Sequence, residues 1–206
     1  MRTQVVVAVL VGLTAPAVAV RADPLVILPP GAVWNYTLTD PTADPTWNTT
    51  IGAGGLWSTG PAPFGNCSAA DCAVYPREFD ARTLWPADGS FADDLWIRTA
   101  IDVDAALLDS LYWNLGVDNG FKLHLNGALI AAGNAEGYTW RWEYSGQIPA
   151  SVLHPGQQVV ALALEDHGFL TAFDMQITSA PVPEPSSLLL LGIGALGAAA
   201  RKLRNL

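Results

Sequence analysis

The chain has 206 residues, eight tryptophans, 19 glycines, 15 prolines and a formal net charge of −9. This composition, with its scarce lysine, is typical of a β-rich, loop-rich extracytoplasmic domain rather than a helical one. Residues 20–185 contain six basic residues and nineteen acidic ones. Nucleic acid and anionic polymers are therefore poor partners, because phosphate binding requires a basic patch.

Residues 1–22 have the pattern of a secretory signal peptide. Met1–Gln4 is short and positive, Val5–Leu13 is apolar, and Ala17–Ala19 or Val20–Ala22 offers small residues for cleavage. An uncleaved N-terminal anchor is the alternative, but the apolar run is short for that role. The pattern favours export of the remaining chain.

Two cysteines, Cys67 and Cys72, are separated by four residues. In an oxidising compartment this spacing favours a disulfide that closes a small loop. A metal half-site is the alternative, and the lack of a histidine or further cysteine nearby argues against it.

We expect residues 23–180 to form one domain, in which alternating apolar residues predict strands, most strongly from Asp94 onward. Asn126-Gly127 is a strong signal for a two-residue hairpin turn, and Asp104–Asp109 predicts a short turn or helical cap. About eight strands with no amphipathic helix indicate an all-β, antiparallel sandwich. The main predicted strands are Ala32–Thr39, Leu95–Val103, Ser110–Val117, Phe121–Leu125, Ala128–Ala132, Val159–Glu165 and Ala172–Ile177.

Two stretches of this region resemble galactose-binding-like jelly-roll domains of secreted hydrolases and phosphoesterases. The resemblance spans roughly residues 32–177, while the stretch from Asn66 to Phe91 departs from it. It implies a jelly-roll sandwich, a carbohydrate ligand in many members and often a structural calcium. The matching residues are Trp34-Asn35-Tyr36, Trp47, Trp57-x-x-Gly60-Pro61-Ala62-Pro63-Phe64-Gly65 and Val117-Asp118-Asn119-Gly120-Phe121-x-Leu123-x-Leu125-Asn126-Gly127.

Four alternating aromatics, Tyr138, Trp140, Trp142 and Tyr144, are the candidate carbohydrate site. On a strand they would share one face. Exposed rings form a sugar-stacking platform, because the CH faces of pyranoses pack on flat π surfaces. The more common role of an aromatic stripe is to fill the core or to cover its open end.

Glu165 and Asp166 are the candidate calcium ligands, because hard cations bind clustered carboxylate oxygens. A polar loop between the last two strands is the alternative. Asp118 and Asn119 could also bind a ligand, but turn chemistry explains them better, since Asp and Asn side chains cap their own backbone.

Patterns typical of enzyme sites do not occur in the chain. It contains no Gly-x-Ser-x-Gly elbow, no His-Glu-x-x-His and no phosphate-cradling glycine loop. Asp93-Asp94 is interpreted as solvated charge. We therefore expect a protein without catalytic activity, with a secreted hydrolase of unrecognised site as a rival hypothesis.

Residues 181–206 consist of three segments that follow one another in the sequence. Val182-Pro183-Glu184-Pro185 is stiff and extended, Leu188–Ala200 is apolar, and Arg201–Arg204 is a basic stop. The tail resembles the PEP-CTERM sorting signal of Gram-negative, exopolysaccharide-producing bacteria. An ordinary C-terminal membrane anchor is the alternative, but the apolar run is shorter than the ~17–20 residues that a spanning helix needs.

The PEP-CTERM resemblance implies sorting by an exosortase that acts near Pro183, Glu184 and Pro185. It also implies an intermediate held at the inner membrane, followed by transfer to the cell surface or extracellular matrix. We expect an envelope or matrix protein that binds exopolysaccharide or a neutral glycan. A purely structural surface protein is the alternative.

Overall fold

The computed structural model describes residues 24–52, 54–66, 80–86, 94–134, 142–168 and 170–179. In these residues the chain forms two facing sheets of six strands each, a β-sandwich of the jelly-roll type. The predicted all-β sandwich is confirmed, with twelve strands in place of about eight. They are β1 Val26–Leu28, β2 Val33–Thr37, β3 Ser58–Pro61, β4 Phe64–Gly65, β5 Thr83–Leu84, β6 Leu95–Val103, β7 Tyr112–Asp118, β8 Gly120–Leu125, β9 Ala128–Asn134, β10 Tyr144–Gln147, β11 Gly156–Glu165 and β12 Ala172–Thr178.

The strand order joins distant parts of the chain. The first sheet has the order β10-β7-β12-β4-β5, with β1 also paired to β12, and the second has the order β3-β2-β6-β11-β8-β9. The short pair β4 and β5 is parallel, whereas the other described pairings are antiparallel. The last strand, β12, therefore lies inside the first sheet.

Aromatic contacts join the two sheets across the core. Trp34 of β2 packs edge-on against Phe173 of β12, with ring centroids 5.4 Å apart. Tyr36 packs against Phe64 of β4 at 5.2 Å. Trp34, Phe64 and Phe173 are fully buried, so they contribute strongly to the burial of apolar surface that stabilises the sandwich.

Strand β6 has the bounds that its period of two predicts. Leu95, Ile97, Ile101 and Val103 face the core and are buried, because alternate side chains of a strand point to one face. Arg98 lies on the opposite face of the strand, yet it is buried too. A segment outside the sheet must therefore cover it.

The hairpin between β8 and β9 confirms the turn predicted at Asn126-Gly127. Both residues have positive φ, 50° and 85°, as a type I′ turn requires. Leu125 pairs with Ala128, so the loop contains two residues. The Asn126 side chain also accepts a hydrogen bond from the Val159 N–H at 2.8 Å, which ties the turn to β11.

The two ends of the sandwich differ in chemistry. At one, the polar end, β7 ends at Asp118, β8 begins at Gly120 and β11 ends at Glu165. At the other, the tail end, β12 finishes at Thr178 and Ser179 follows. Strand β12 runs from one end to the other, a distance of about 20 Å at ~3.3 Å per residue.

Several predictions concern residues outside the described ranges. They are the signal peptide, Cys67 and Cys72, Tyr138 and Trp140, and the structure of residues 181–206. The disulfide and the short membrane segment therefore stay predictions. In the described part of the chain, no helix is long and apolar enough to cross a membrane.

Candidate functional site

The polar end carries a group of charged and amide side chains, Asp94, Asn119, Lys122, Glu165 and His167, which we call the polar cluster. Lys122 Nζ lies 2.7 Å from Glu165 Oε1. His167 Nε2 lies 3.9 Å from the other carboxylate oxygen, Oε2. The Glu165 carboxylate thus lies between an ammonium group and an imidazole.

Asn119 organises the backbone of the polar cluster. It is the single residue between β7 and β8, and the Asp118–Asn119 peptide bond is cis. Its N–H donates to the Glu165 carbonyl at 3.0 Å, and its Oδ1 accepts the His167 N–H at 2.9 Å. The turn predicted at Asp118–Gly120 is therefore a crossover from the first sheet to the second.

Asp94 joins the polar cluster from the start of β6. Its Oδ1 accepts the Asp166 N–H at 3.2 Å, and the residue is half-buried, so the predicted solvated charge is wrong. Burial raises the pKa of Asp94; the bond from Asp166 opposes that rise and the charge of Glu165 adds to it. For Lys122, the bond to Glu165 raises the pKa of the ammonium group.

The predicted calcium ligands, Glu165 and Asp166, are adjacent in sequence, but their carboxylates have different partners. Glu165 is paired with Lys122, whereas Asp166 is buried and its Oδ1 accepts the Gly168 N–H at 2.8 Å. Among the residues that the structure describes, no group of three or more His, Cys, Asp or Glu could hold a metal ion. The Lys122 ammonium group would compete with a cation for the Glu165 carboxylate. The calcium site at Glu165 and Asp166 stays a prediction.

Two of the four predicted aromatics lie within the described ranges. Tyr144 opens β10 and packs on Phe121, with ring centroids 4.9 Å apart, so it belongs to the sandwich. Trp142 is half-buried and has a φ of 62°. A strand needs negative φ, so the predicted alternation along one extended strand is wrong at Trp142. A left-handed backbone is unusual for so bulky a residue.

The aromatic segment, residues 135–144, connects β9 to β10, and both strands adjoin it at their ends nearer the polar end. Strand β9 ends at Asn134, opposite Gly120, and β10 begins at Tyr144, its residue closest to the polar end. A Cβ placed on Gly120 would lie 2.8 Å from Glu165 Oε2 and 2.9 Å from Asn134 Oδ1. Trp142 lies two residues before Tyr144, which pairs with Leu115, three residues before β7 ends at Asp118.

Sequence reasoning missed a second polar arrangement, on the outer face of the second sheet. The Arg98 guanidinium donates to the carbonyls of Trp47 and Gly52, each at 3.0 Å, and lies 3.8 Å from the Trp57 ring centroid. Only 5% of Arg98 is exposed. Arg98 thus fastens residues 40–57, the covering loop, onto the sheet. The available signal was a lone arginine inside an apolar strand.

His124 lies under the same covering loop. Its ring meets the Trp47 ring edge-on, with centroids 5.5 Å apart. Burial lowers the pKa of His124, and the charge of Lys122 acts in the same direction, while a backbone hydrogen bond at Lys122 opposes it. His124 Nδ1 is buried without a hydrogen-bond partner among the described residues. The imidazole is therefore a neutral packing group.

The described residues define a jelly-roll-type β-sandwich with one polar end. Residues 181–204 match the model of the PEP-CTERM protein-sorting motif, which confirms the predicted tail. The motif marks the chain as an exported protein of a Gram-negative bacterium that an exosortase recognises and that passes through a membrane-anchored intermediate. No curated protein matches the chain in sequence.

Solved structures with a similar shape include three β-glucuronidases. The enzyme from an uncultured Clostridium has a TM-score of 0.48 at 9% identity, covering 79% of this chain and 30% of its own. The Bifidobacterium dentium enzyme has a TM-score of 0.44 at 15% identity, and the match covers 70% of this chain and 21% of the enzyme. A Ruminococcus gnavus enzyme has a TM-score of 0.46 at 14% identity, and the match covers 79% of this chain and 30% of the enzyme. The chain thus spans less than a third of each enzyme, and likenesses at this level carry no argument about activity.

Proposed function

We propose that the protein is a surface or matrix component whose sandwich binds a neutral glycan at the polar end, without catalysing a reaction. One observation carries the proposal. Asn134 at the end of β9 lies opposite Gly120 of the polar end, and Tyr144, two residues after Trp142, is the residue of β10 nearest that end. A glycan site needs both an aromatic ring and polar groups.

Sugar recognition combines a flat apolar surface with a few well-placed polar groups. Half-buried Trp142 offers a ring on which a pyranose could stack. Asn134 is exposed and lies near the Glu165 carboxylate, and His167 borders the same carboxylate. These side chains can accept and donate hydrogen bonds to sugar hydroxyls.

The charge of the chain narrows the class of glycan. Acidic residues outnumber basic ones, 19 to 10 in the whole sequence, and three of the basic residues lie in the C-terminal tail. A surface of this sign repels uronic-acid and sulfated polymers. Neutral polysaccharides carry no charge for this surface to repel, so they are the proposed ligands.

The position of the polar end suits a matrix ligand. Strand β12 separates it by about 20 Å from Ser179, after which the sorting motif begins. While the tail is held at the membrane, the polar end is the end of the sandwich farther from the tail. A glycan outside the cell could therefore reach it in the membrane-held and the released protein alike.

A purely structural role is the second candidate, and a specific observation favours it. Each described Phe, Tyr and Trp is buried or half-buried, and Tyr144 packs against Phe121 in the sandwich. In that case the aromatic segment would cover the open end of the core, and the polar cluster would close it by ion pairing.

Glycan binding separates the two candidates. The processed protein, purified from its host, would be tested on immobilised neutral glycans and on the host exopolysaccharide. Stacking on about a third of the ~150–250 Å² of a large ring, at ~25 cal/mol per Å², gives roughly 1.5 kcal/mol. Trp142→Ala should therefore weaken binding about tenfold. Trp57→Ala, a half-buried tryptophan at the covering loop, is the matched control and should bind as the wild type does.

The remaining outcomes decide among the alternatives. Binding that survives Trp142→Ala would move the site away from the polar end. Binding that a chelator abolishes would support the predicted calcium ligands, Glu165 and Asp166. No binding to any glycan would favour the structural role. Release of reducing sugar from a bound glycan would contradict the non-enzymatic assignment.

A further inference from the structure

Leu25, near the start of the described chain, is bonded to Ser179, its last described residue. The Leu25 N–H donates to Ser179 Oγ at 2.9 Å, and the Ser179 N–H donates to the Leu25 carbonyl at 2.8 Å. Beside them, Val26 of β1 pairs with Thr178, the last residue of β12. We call the two hydrogen bonds between Leu25 and Ser179 the terminal clamp.

Strand β1 gives the end of β12 a second neighbour. Along its length β12 pairs with β7, while on its other edge β4 pairs with Ala172 and Phe173, and β1 pairs with Ile177 and Thr178. Without β1 the last residues of β12 would have a partner on one side only. The free ends of strands fray at almost no cost in free energy, so β1 and the terminal clamp keep this end ordered up to Ser179.

The sorting motif begins directly beyond this point. Its match starts at residue 181, two residues after Ser179, and Pro183 follows four residues after Ser179. A chain spans at most ~3.6 Å per residue, so Pro183 lies within about 14 Å of Ser179. Proline-rich sequences are semi-rigid spacers, and Pro181, Pro183 and Pro185 fall in this short stretch.

We propose that β1 and the terminal clamp are positioning elements for sorting, which present the motif to the exosortase at a fixed, short distance from the folded domain. A fixed base and a stiff spacer leave few conformations to lose when the enzyme binds, which favours binding. The proposal depends on the sorting motif and not on glycan binding, so either one can fail without the other.

Ser179→Pro tests the terminal clamp in one substitution. Proline removes the N–H that bonds the Leu25 carbonyl and the hydroxyl that accepts the Leu25 N–H. It also leaves Thr178 in the extended region that a strand needs. Ser179→Ala is the graded control, since it loses the side-chain bond and keeps the backbone bond. Leu25→Ser removes an exposed side chain, 56% accessible, and keeps both bonds of the clamp.

The assay follows the full-length chain in a host that contains the exosortase. Pulse labelling measures how fast the membrane-held form is converted to the released form, and thermal unfolding checks the domain. Ser179→Pro should slow conversion at least about threefold, Ser179→Ala should slow it less, and Leu25→Ser should leave it unchanged. Inserting four Gly/Ser residues after Ala180 should also slow it, with no change in the folded domain.

Two results would overturn the proposal. If Ser179→Pro and the insertion variant are both processed at the wild-type rate or faster, a fixed base does not help the enzyme. If Leu25→Ser slows processing as much as Ser179→Pro, the enzyme reads the exposed side chain rather than the position of the motif. The insertion variant keeps the test valid even if Ser179→Pro destabilises the sandwich.

Discussion

Replacement of Arg98 by alanine should detach the covering loop from the second sheet. The guanidinium donates to the Trp47 and Gly52 carbonyls at 3.0 Å and stacks on the Trp57 ring at 3.8 Å. Hydrogen bonds from charged donors contribute ~1.5–3 kcal/mol each, and the cation–π contact about 0.5–2 kcal/mol. Release of a buried charge offsets part of this sum, since burial already lowers the pKa of Arg98.

We expect a net loss of about 2–4 kcal/mol in the free energy of unfolding. For a domain of this size that loss corresponds to a Tm lower by roughly 5–15 °C. Arg98→Lys keeps the charge but cannot reach both carbonyls with a planar fork, so it should lose about half as much. Arg82→Ala is the matched control, because Arg82 is exposed, and it should change stability by less than about 0.5 kcal/mol.

Thermal unfolding by calorimetry measures the effect on the domain, and limited proteolysis measures the effect on the covering loop. Cleavage within residues 40–57 should increase, because Arg98→Ala removes the bonds that attach the loop to the sheet. An Arg98→Ala protein with the wild-type Tm and the wild-type cleavage pattern would refute the reasoning, because the buried guanidinium would then contribute nothing.

Three further outcomes follow from the geometry. Burial lowers the pKa of His124 in the folded protein, so the unfolded chain binds the proton more readily and the free energy of unfolding falls below about pH 6.5. His124→Gln should reduce this loss of stability, measured by urea unfolding at several pH values. The same pH dependence in the wild type and the variant would contradict the prediction. A double-mutant cycle on Lys122 and Glu165 should give a coupling of about 0.2–1 kcal/mol, because Lys122 is largely exposed, and high salt should weaken it; zero coupling at low salt would argue against the ion pair. Gly133→Ala places a methyl group 2.6 Å from Phe121 Cε1 and should cost ~1–3 kcal/mol by denaturant unfolding, whereas a neutral effect would place Phe121 elsewhere.

Local sequence signals were sufficient where neighbouring residues decide the structure. The alternation in Leu95–Val103 predicted the bounds of β6, and Asn126-Gly127 predicted its two-residue turn, because strand period and positive φ are local properties. Asp104 was predicted within a turn or cap, and its side chain does accept the N–H of Ala106 at the start of a short 3₁₀ turn.

Contacts between distant residues could not be predicted in this way. The period of β6 placed Arg98 on the outward face, but nothing local shows that a segment about 46–51 residues earlier covers it. Asp94 meets Asp166 across 72 residues, so its half-buried state has no local signal. The four aromatics would share one face only on an extended strand, whereas the backbone at Trp142 takes a positive φ.

The crossover at Asn119 has a consequence for how the sandwich moves. A single residue connects β7 in the first sheet to β8 in the second, so the two sheets are held close together at this end. At the tail end the sheets are joined by longer connections, residues 104–111 between β6 and β7 and residues 148–155 between β10 and β11. Amide hydrogen exchange should therefore be slowest near Gly116 and Val117 and become faster along the strands towards Tyr112 and Thr178.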